Sequence, residues 1–193
     1  TYGGLIFAPE SIRKVELEKA LEITKAAPLT YVGVFVNETI DKICSIVNQL
    51  SLSIVQLHGD EDDSYIKELK MQLPDVHIWK AKGIHDKISQ QQIKEFEEQN
   101  QRTSTQKLST IDRLLLDSAN GDKRGGNGTC FDWKSLTDDV TEQVILAGGL
   151  SPDNIKVAAS LGAFALDVNS GVEAVKGTKS TEKIEALFDR LRI

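Results

Sequence analysis

Seven short strand-like runs, each followed by a stretch with helical spacing or its candidate, recur along the chain. No other feature limits the fold as strongly. The runs are Gly3 to Phe7, Tyr31 to Val36, Ile54 to Leu57, Val76 to Ala81, Leu114 to Leu116, Val144 to Ala147 and Phe164 to Val168. Several are continuous, where a half-exposed antiparallel strand would alternate. Continuous runs mark parallel strands buried on both faces. Between them, Val15, Leu17, Ala20, Leu21 and Ile23 predict a helix over Lys14 to Ala27, closed by Pro28. Ile40, Ile43, Val47 and Leu50 form one stripe of a second helix. Further helices are expected over Asp62 to Leu73, Lys87 to Gln99, Trp133 to Val140, from Pro152 onward, and over Thr181 to Leu191.

Alternating β/α units leave two architectures, an open doubly wound sheet or a (β/α)8 TIM barrel. An open dinucleotide-binding sheet wants G-x-G-x-x-G after its first strand, and the chain has none there. Its glycines and polar residues instead follow several strands: Asn37, His58-Gly59, Asp117, Gly148-Gly149 and Asn169-Ser170-Gly171. Functional residues at many strand ends are the pattern of a barrel's catalytic face. No Ser/Gly/Pro-rich linker separates two cores, so the 193 residues are expected to form one domain.

Charge and composition narrow the partners. Lys plus Arg number 23 and Asp plus Glu 29, a net charge of −6 with no basic run. That argues against a general nucleic-acid binder and against an acidic membrane surface. No apolar run approaches the roughly 18 residues of a bilayer span, and no signal peptide is visible. Cys44 and Cys130 belong to no C-x-x-C or Cys/His cluster, and His58, His77 and His85 lack ligand spacing. No metal is expected, and a reducing, cytoplasmic compartment is the default.

The last two strand exits read LAGGL and DVNSGVE. Barrels often bind phosphate with the loops after their last two strands and the start of a short extra helix. Glycine lets backbone N–H groups approach an anion closely. On this reading Ser170 and Gly171 open the short helix; the alternative is that Gly148 and Gly149 only turn the chain. Asp117 ends the LLLD strand, where partial desolvation favours the protonated, proton-donating carboxyl. It could equally be a helix cap or a surface ion-pair partner. The glycine-rich loop beyond it, Ser118 to Thr129, could close over a substrate. Arg13 could grip a carboxylate with both ends of its guanidinium, or be a solvated loop arginine. His58 stands at a strand exit, where it could line a site or order its own turn. Cys44 is expected in the core, and Cys130 has no base beside it in sequence.

The strings GLIFAPESIRKV, VGVFVNE, VQLHGDE, LLLDS, GGNGTCFDW, VILAGGLSPDNI and DVNSGVE, in this order and spacing, resemble the phosphoribosylanthranilate isomerase family. YGGLIF, AAPLTYVGVF and IWKA resemble in particular the version fused behind indole-3-glycerol-phosphate synthase, which makes such a domain an expected N-terminal partner. The resemblance implies a cofactor-free Amadori rearrangement of N-(5-phosphoribosyl)anthranilate, a small phosphorylated substrate. An acid opens the furanose to a Schiff base. A base then removes the C2 proton, and the enolamine tautomerises to the ketone. Carried over by motif, Asp117 is the general acid, Arg13 binds the anthranilate carboxylate, and His58 lines the site. Gly148, Gly149, Asn169 and Ser170 cradle the phosphate.

The chain departs from the family in places. Ile12 stands for the usual Pro or Lys, Asn169 for a frequent Ser, and Ser180 for a frequent Asp. The larger departure is the family's general base, a cysteine in K-[IV]-C-G at the end of its first strand, which has no match here. Residues 1–193 are therefore expected to form the barrel domain without its first strand and first helix, a βα unit of roughly 20–25 residues. Such a chain alone is expected to be impaired as an isomerase. The other readings are a non-catalytic phosphate-binding barrel fragment, and a different phosphate-binding barrel enzyme such as indole-3-glycerol-phosphate synthase.

Overall fold

The structure is a computed structural model, and it describes residues 1–84, 111–118 and 142–192. Two compact units divide them. Residues 1–81 and 111–112 make the first, and residues 82–84, 113–118 and 142–192 the second. The helices expected over Lys87 to Gln99 and Trp133 to Val140, the loop beyond Ser118, His85 and Cys130 all lie outside the described residues.

In the first unit, strands β1 (Tyr2–Ile6), β2 (Thr30–Phe35), β3 (Ile54–Leu57) and β4 (His77–Ile84, its last three residues counted with the second unit) alternate with helices. These are α1 (Leu17–Ala26), α2 (Ile40–Leu50) and α3 (Asp63–Gln72). Each strand pairs in parallel with the one before it: Ile6 opposite Val34, Phe35 opposite Leu57, and Leu57 opposite Lys80. Every residue of β3 is buried, the polar Gln56 among them, as a strand covered on both faces requires. Helix α2 buries the expected stripe of Ile43, Val47 and Leu50, together with Ile46. Each such side chain contributes about 1.5–3 kcal/mol through burial. Phe7 stacks on Phe35, with ring centroids 5.3 Å apart.

Helix α1 starts later than its apolar spacing predicts, at Leu17 instead of Lys14. The intervening backbone is spent on turns: Lys14 N–H donates to Ser11 O and Val15 N–H to Ile6 O. Glu16 is still extended, with φ −80° and ψ 156°. Helix α3 begins where Asp62 accepts from Tyr65 N–H at 2.8 Å, a side-chain cap that satisfies one free donor of the first turn.

The second unit carries β5 (Arg113–Ser118), β6 (Val144–Leu146) and β7 (Ala165–Leu166), again parallel and in chain order. Helices α4 (Ile155–Ala159) and α5 (Thr181–Leu191) belong to it. Its core gathers Ile84, Leu116, Val144, Leu146, Leu150, Ile155, Ala158, Val172 and Leu187. Strand β7 is shorter than the apolar run Phe164 to Val168, because its partner β6 has only three residues. The ladder still extends one bond each way, Phe164 N–H to Val144 O and Asp167 N–H to Leu146 O. After β7 comes a 3-10 turn, Ser170–Val172, and then a hairpin of β8 (Glu173–Val175) and β9 (Thr178–Lys179). The sequence reading had no hairpin. Its one signal is Gly177, which makes the turn at φ 89°.

Candidate active site

In the first unit, the strand exits are joined through one buried ion pair. Lys80 on β4 meets Glu61 at 3.1 Å, with side chains 10% and 1% exposed. The Glu61 carboxylate also accepts from Asn37 N–H at 2.8 Å and Gly59 N–H at 2.9 Å. The ammonium donates in addition to Gly59 O at 2.8 Å, Leu57 O and Ala81 O. The ends of β2, β3 and β4 thus share a single electrostatic knot. Sequence reasoning named Asn37 and Gly59 as strand-exit residues, but it missed Glu61 and Lys80.

Asn37 sits at φ 48°, a left-handed conformation that Asn tolerates better than most residues. Its side-chain oxygen accepts from Asp60 N–H at 2.7 Å. A Cβ on Gly59 would collide with the Asn37 amide, so glycine is required at that position for close approach. His58 lies on this turn, half-buried. Its N–H donates to Phe35 O at 2.8 Å. The side-chain amide of the buried Gln56 lies within hydrogen-bond distance of its Nδ1, at 3.1 Å. The ring is therefore held by β3, and its turn by the ion pair.

Arg13 follows β1 in two tight turns, where its N–H donates to Ser11 Oγ at 3.1 Å. It is half-buried, not a fully solvated loop arginine. Cys44 lies on α2, partly buried against the first core, with its Sγ 3.5 Å from Gln72 Oε1. Burial, then the charge of Asp41, pushes its thiol pKa up. A raised thiol is a poor nucleophile and a poor base.

The second unit brings together Asp117 and both glycine-bearing exits. Asp117 and Ser118 end β5 and are buried, at 9% and 7% exposure. That burial removes the reading of Asp117 as a surface group. Gly148 follows β6 at φ 85° and Gly149 at φ 67°. A Cβ on Gly148 would strike the backbone nitrogen and hydroxyl of Ser118, so the β6 exit runs directly against the residue after Asp117. The glycines do turn the chain, and they also set this contact. Asn154 staples the turn: its Nδ2 donates to Gly149 O at 3.0 Å and its Oδ1 accepts from Ser151 N–H at 2.9 Å. Sequence reasoning missed that staple.

Asn169 and Ser170 are half-buried beyond β7, and Ser170 starts the 3-10 turn as expected. A Cβ on Gly171 would run into the Leu150 carbonyl, so the loops after β6 and β7 touch. Ser180 caps α5 by accepting from Lys183 N–H at 3.2 Å. Serine serves there as aspartate would. No helix among the described residues is long and apolar enough to cross a membrane.

Parallel β/α units in chain order, with polar and glycine residues gathered at successive strand exits, define the (β/α)8-barrel enzyme class. The chain belongs to the N-(5'-phosphoribosyl)anthranilate (PRA) isomerase family, which it matches over residues 1–190. It is 45% identical over 193 residues to the tryptophan biosynthesis protein TrpCF of Vibrio parahaemolyticus, covering 99% of this chain and 36% of that protein. The TrpCF of Haemophilus influenzae is 42% identical, with 98% and 38% covered. The chain thus spans less than two fifths of the length of these relatives. Among solved structures, phosphoribosyl anthranilate isomerase of Thermus thermophilus superposes with a TM-score of 0.78 at 28% identity, covering 98% of this chain and 86% of that one. The Thermotoga maritima enzyme gives 0.77 at 30%, with the same coverage. The expected barrel class is borne out, with seven of its parallel strands among the described residues.

Proposed function

We propose that this chain is the isomerase part of a tryptophan-biosynthetic enzyme. The reaction is the Amadori rearrangement of N-(5-phosphoribosyl)anthranilate to 1-(2-carboxyphenylamino)-1-deoxyribulose 5-phosphate. One observation carries the reading beyond family membership: Asp117 is buried at the C-terminal end of β5, and its neighbour Ser118 packs against the Gly148 turn. A carboxyl held beside a glycine-lined anion site suits the acid that protonates the ribose ring oxygen. A solved neighbour is phosphoribosyl anthranilate isomerase in complex with reduced 1-(o-carboxyphenylamino)-1-deoxyribulose 5-phosphate, a ligand with the same phosphate and carboxylate ends.

On this reading Arg13 takes the anthranilate carboxylate and His58 lines the site. Gly148, Gly149, Asn169 and Ser170 hold the phosphate, and no cofactor is used. Cys44 does not serve as the base, since it lies on α2 with its Sγ turned to Gln72 of α3. Residues 1–193 belong to the isomerase domain of a longer cytoplasmic protein, with an indole-3-glycerol-phosphate synthase domain ahead of it. The name TrpCF and the shares of 36% and 38% of the relatives' lengths support that arrangement. The test is fluorescence-monitored consumption of phosphoribosylanthranilate by the intact protein and by residues 1–193 alone. Turnover by the intact protein, with little from the isolated chain, is expected. An inactive intact protein would overturn the isomerase reading.

A further inference from the structure

The β8–β9 hairpin has one buried side chain in an exposed setting. Ala174 to Lys179 are exposed, whereas Glu173 is buried. Its carboxylate accepts from Gly177 N–H at 3.1 Å and from Lys179 Nζ at 3.1 Å. Lys179 does not stop there. Its ammonium also donates to the Asn169 backbone carbonyl at 2.7 Å and to Asn169 Oδ1. Lys183 Nζ holds Glu173 O at 2.6 Å, and Ser180 N–H donates to Val172 O. Lys179, itself held by Glu173, thus ties the hairpin to Asn169, at the head of the loop after β7.

A trans peptide points its carbonyl and the next N–H in opposite directions. Drawing the Asn169 carbonyl to Lys179 turns the Ser170 N–H to the other side of that peptide. The same loop is pinned further on, where the Gly171 backbone lies against the Leu150 carbonyl. Fixed at both points, the Asn169–Ser170 peptide has little freedom to rotate. Because Glu173 neutralises Lys179, the lysine adds little net attraction for an anion.

We propose that Lys179 is a positioning residue for a phosphate monoester: anchored by Glu173, it fixes the Asn169–Ser170 peptide so that the Ser170 N–H faces the phosphate. The inference rests on the phosphate reading of the loops after β6 and β7. The alternative is that Lys179 only fastens the hairpin, in which case its loss lowers the unfolding temperature and leaves anion affinity alone.

The test is calorimetric titration of inorganic phosphate into the intact protein and its Lys179→Met and Lys179→Arg variants, at low and high KCl. Wild type should bind saturably. Lys179→Met should bind about tenfold more weakly, of the order expected for one charge-assisted hydrogen bond, and Lys179→Arg should recover most of the loss. The ratio should be the same at both salt concentrations, since orientation is not screened. The Lys179 side chain is 43% exposed, so its replacement leaves the core intact. Should Lys179→Met nevertheless fail to fold, Lys179→Gln takes its place with the same expectations. Equal phosphate affinity in wild type and variant overturns the inference alone. A loss that disappears at high salt also overturns it, by making Lys179 a simple attracting charge. Absence of phosphate binding in wild type overturns both the inference and the reading beneath it.

Discussion

Glu61 and Lys80 form an ion pair at 3.1 Å in which neither side chain has appreciable contact with water. Two backbone N–H groups and three backbone carbonyls complete their hydrogen bonding. Removing one partner strands the other charge in the interior, which costs about 3–5 kcal/mol. Lys80→Met should therefore lower the stability of the protein by that amount in urea unfolding. A loss below about 1 kcal/mol would show that water reaches the pair.

Gly148 and Gly162 separate two costs that usually come together. Both have positive φ, 85° and 74°, but a Cβ on Gly162 meets nothing within 4 Å, whereas one on Gly148 meets Ser118. Gly162→Ala should cost about 1–2 kcal/mol, the cost of a left-handed backbone alone. Gly148→Ala adds crowding and should cost about 2–5 kcal/mol. It should also displace the residue after Asp117 and reduce turnover, which Gly162→Ala should leave unchanged. Equal unfolding midpoints for the two variants would contradict the close contact.

Asp117→Asn keeps the shape of the β5 exit and removes the proton. In the intact isomerase it should lower kcat about a hundredfold or more, the share of a general acid, with KM changed far less. Arg13→Ala should do the opposite and raise KM at nearly constant kcat, as loss of uniform binding does. Steady-state kinetics on both variants decides, and an unaltered kcat in Asp117→Asn would remove Asp117 from the acid role.

Tyr65 gives the stability curve an alkaline limb. Burial, then the charges of Glu61 and Glu38, pushes its phenol up to about 12 from an ordinary 10.0. The folded state thus favours the neutral phenol. Its contribution is complete below pH 10 and falls away as pH rises toward 12. Tyr65→Phe should flatten that decline in urea midpoints. Because the hydroxyl also donates to Glu38 O at 2.6 Å, it should add a pH-independent loss of about 1 kcal/mol. An unchanged slope above pH 10 would assign the limb to other groups.

What was legible in the sequence followed from local chemistry. A continuous run such as Tyr31 to Val36 declares a strand buried on both faces without reference to its neighbours. Gly148 and Gly149 declared a turn through their freedom at positive φ, and Asp117 stood out as a polar end to an apolar run. Glu61 and Lys80 were illegible because 19 positions separate them. They meet only through the register that sets Leu57 opposite Lys80. Before pairing is known, Lys80 reads as one more residue of a strand and Glu61 as the approach to a helix. The hairpin escaped for a similar reason. Two strands of three and two residues carry no periodicity, and Glu173 gains its meaning only when Lys179 lies across from it.

From β1 to β4 and from β5 to β7, each strand pairs with the one that precedes it, and that order has a consequence for biosynthesis. A ribosome delivers β1 before β2 and β2 before β3, so each arriving segment meets a hydrogen-bonding edge already laid down. Each pairing closes a single crossover, a shorter loop than pairing with a strand further along the chain would close. At the growing side of each sheet, the next strand to emerge is the one that covers the waiting edge.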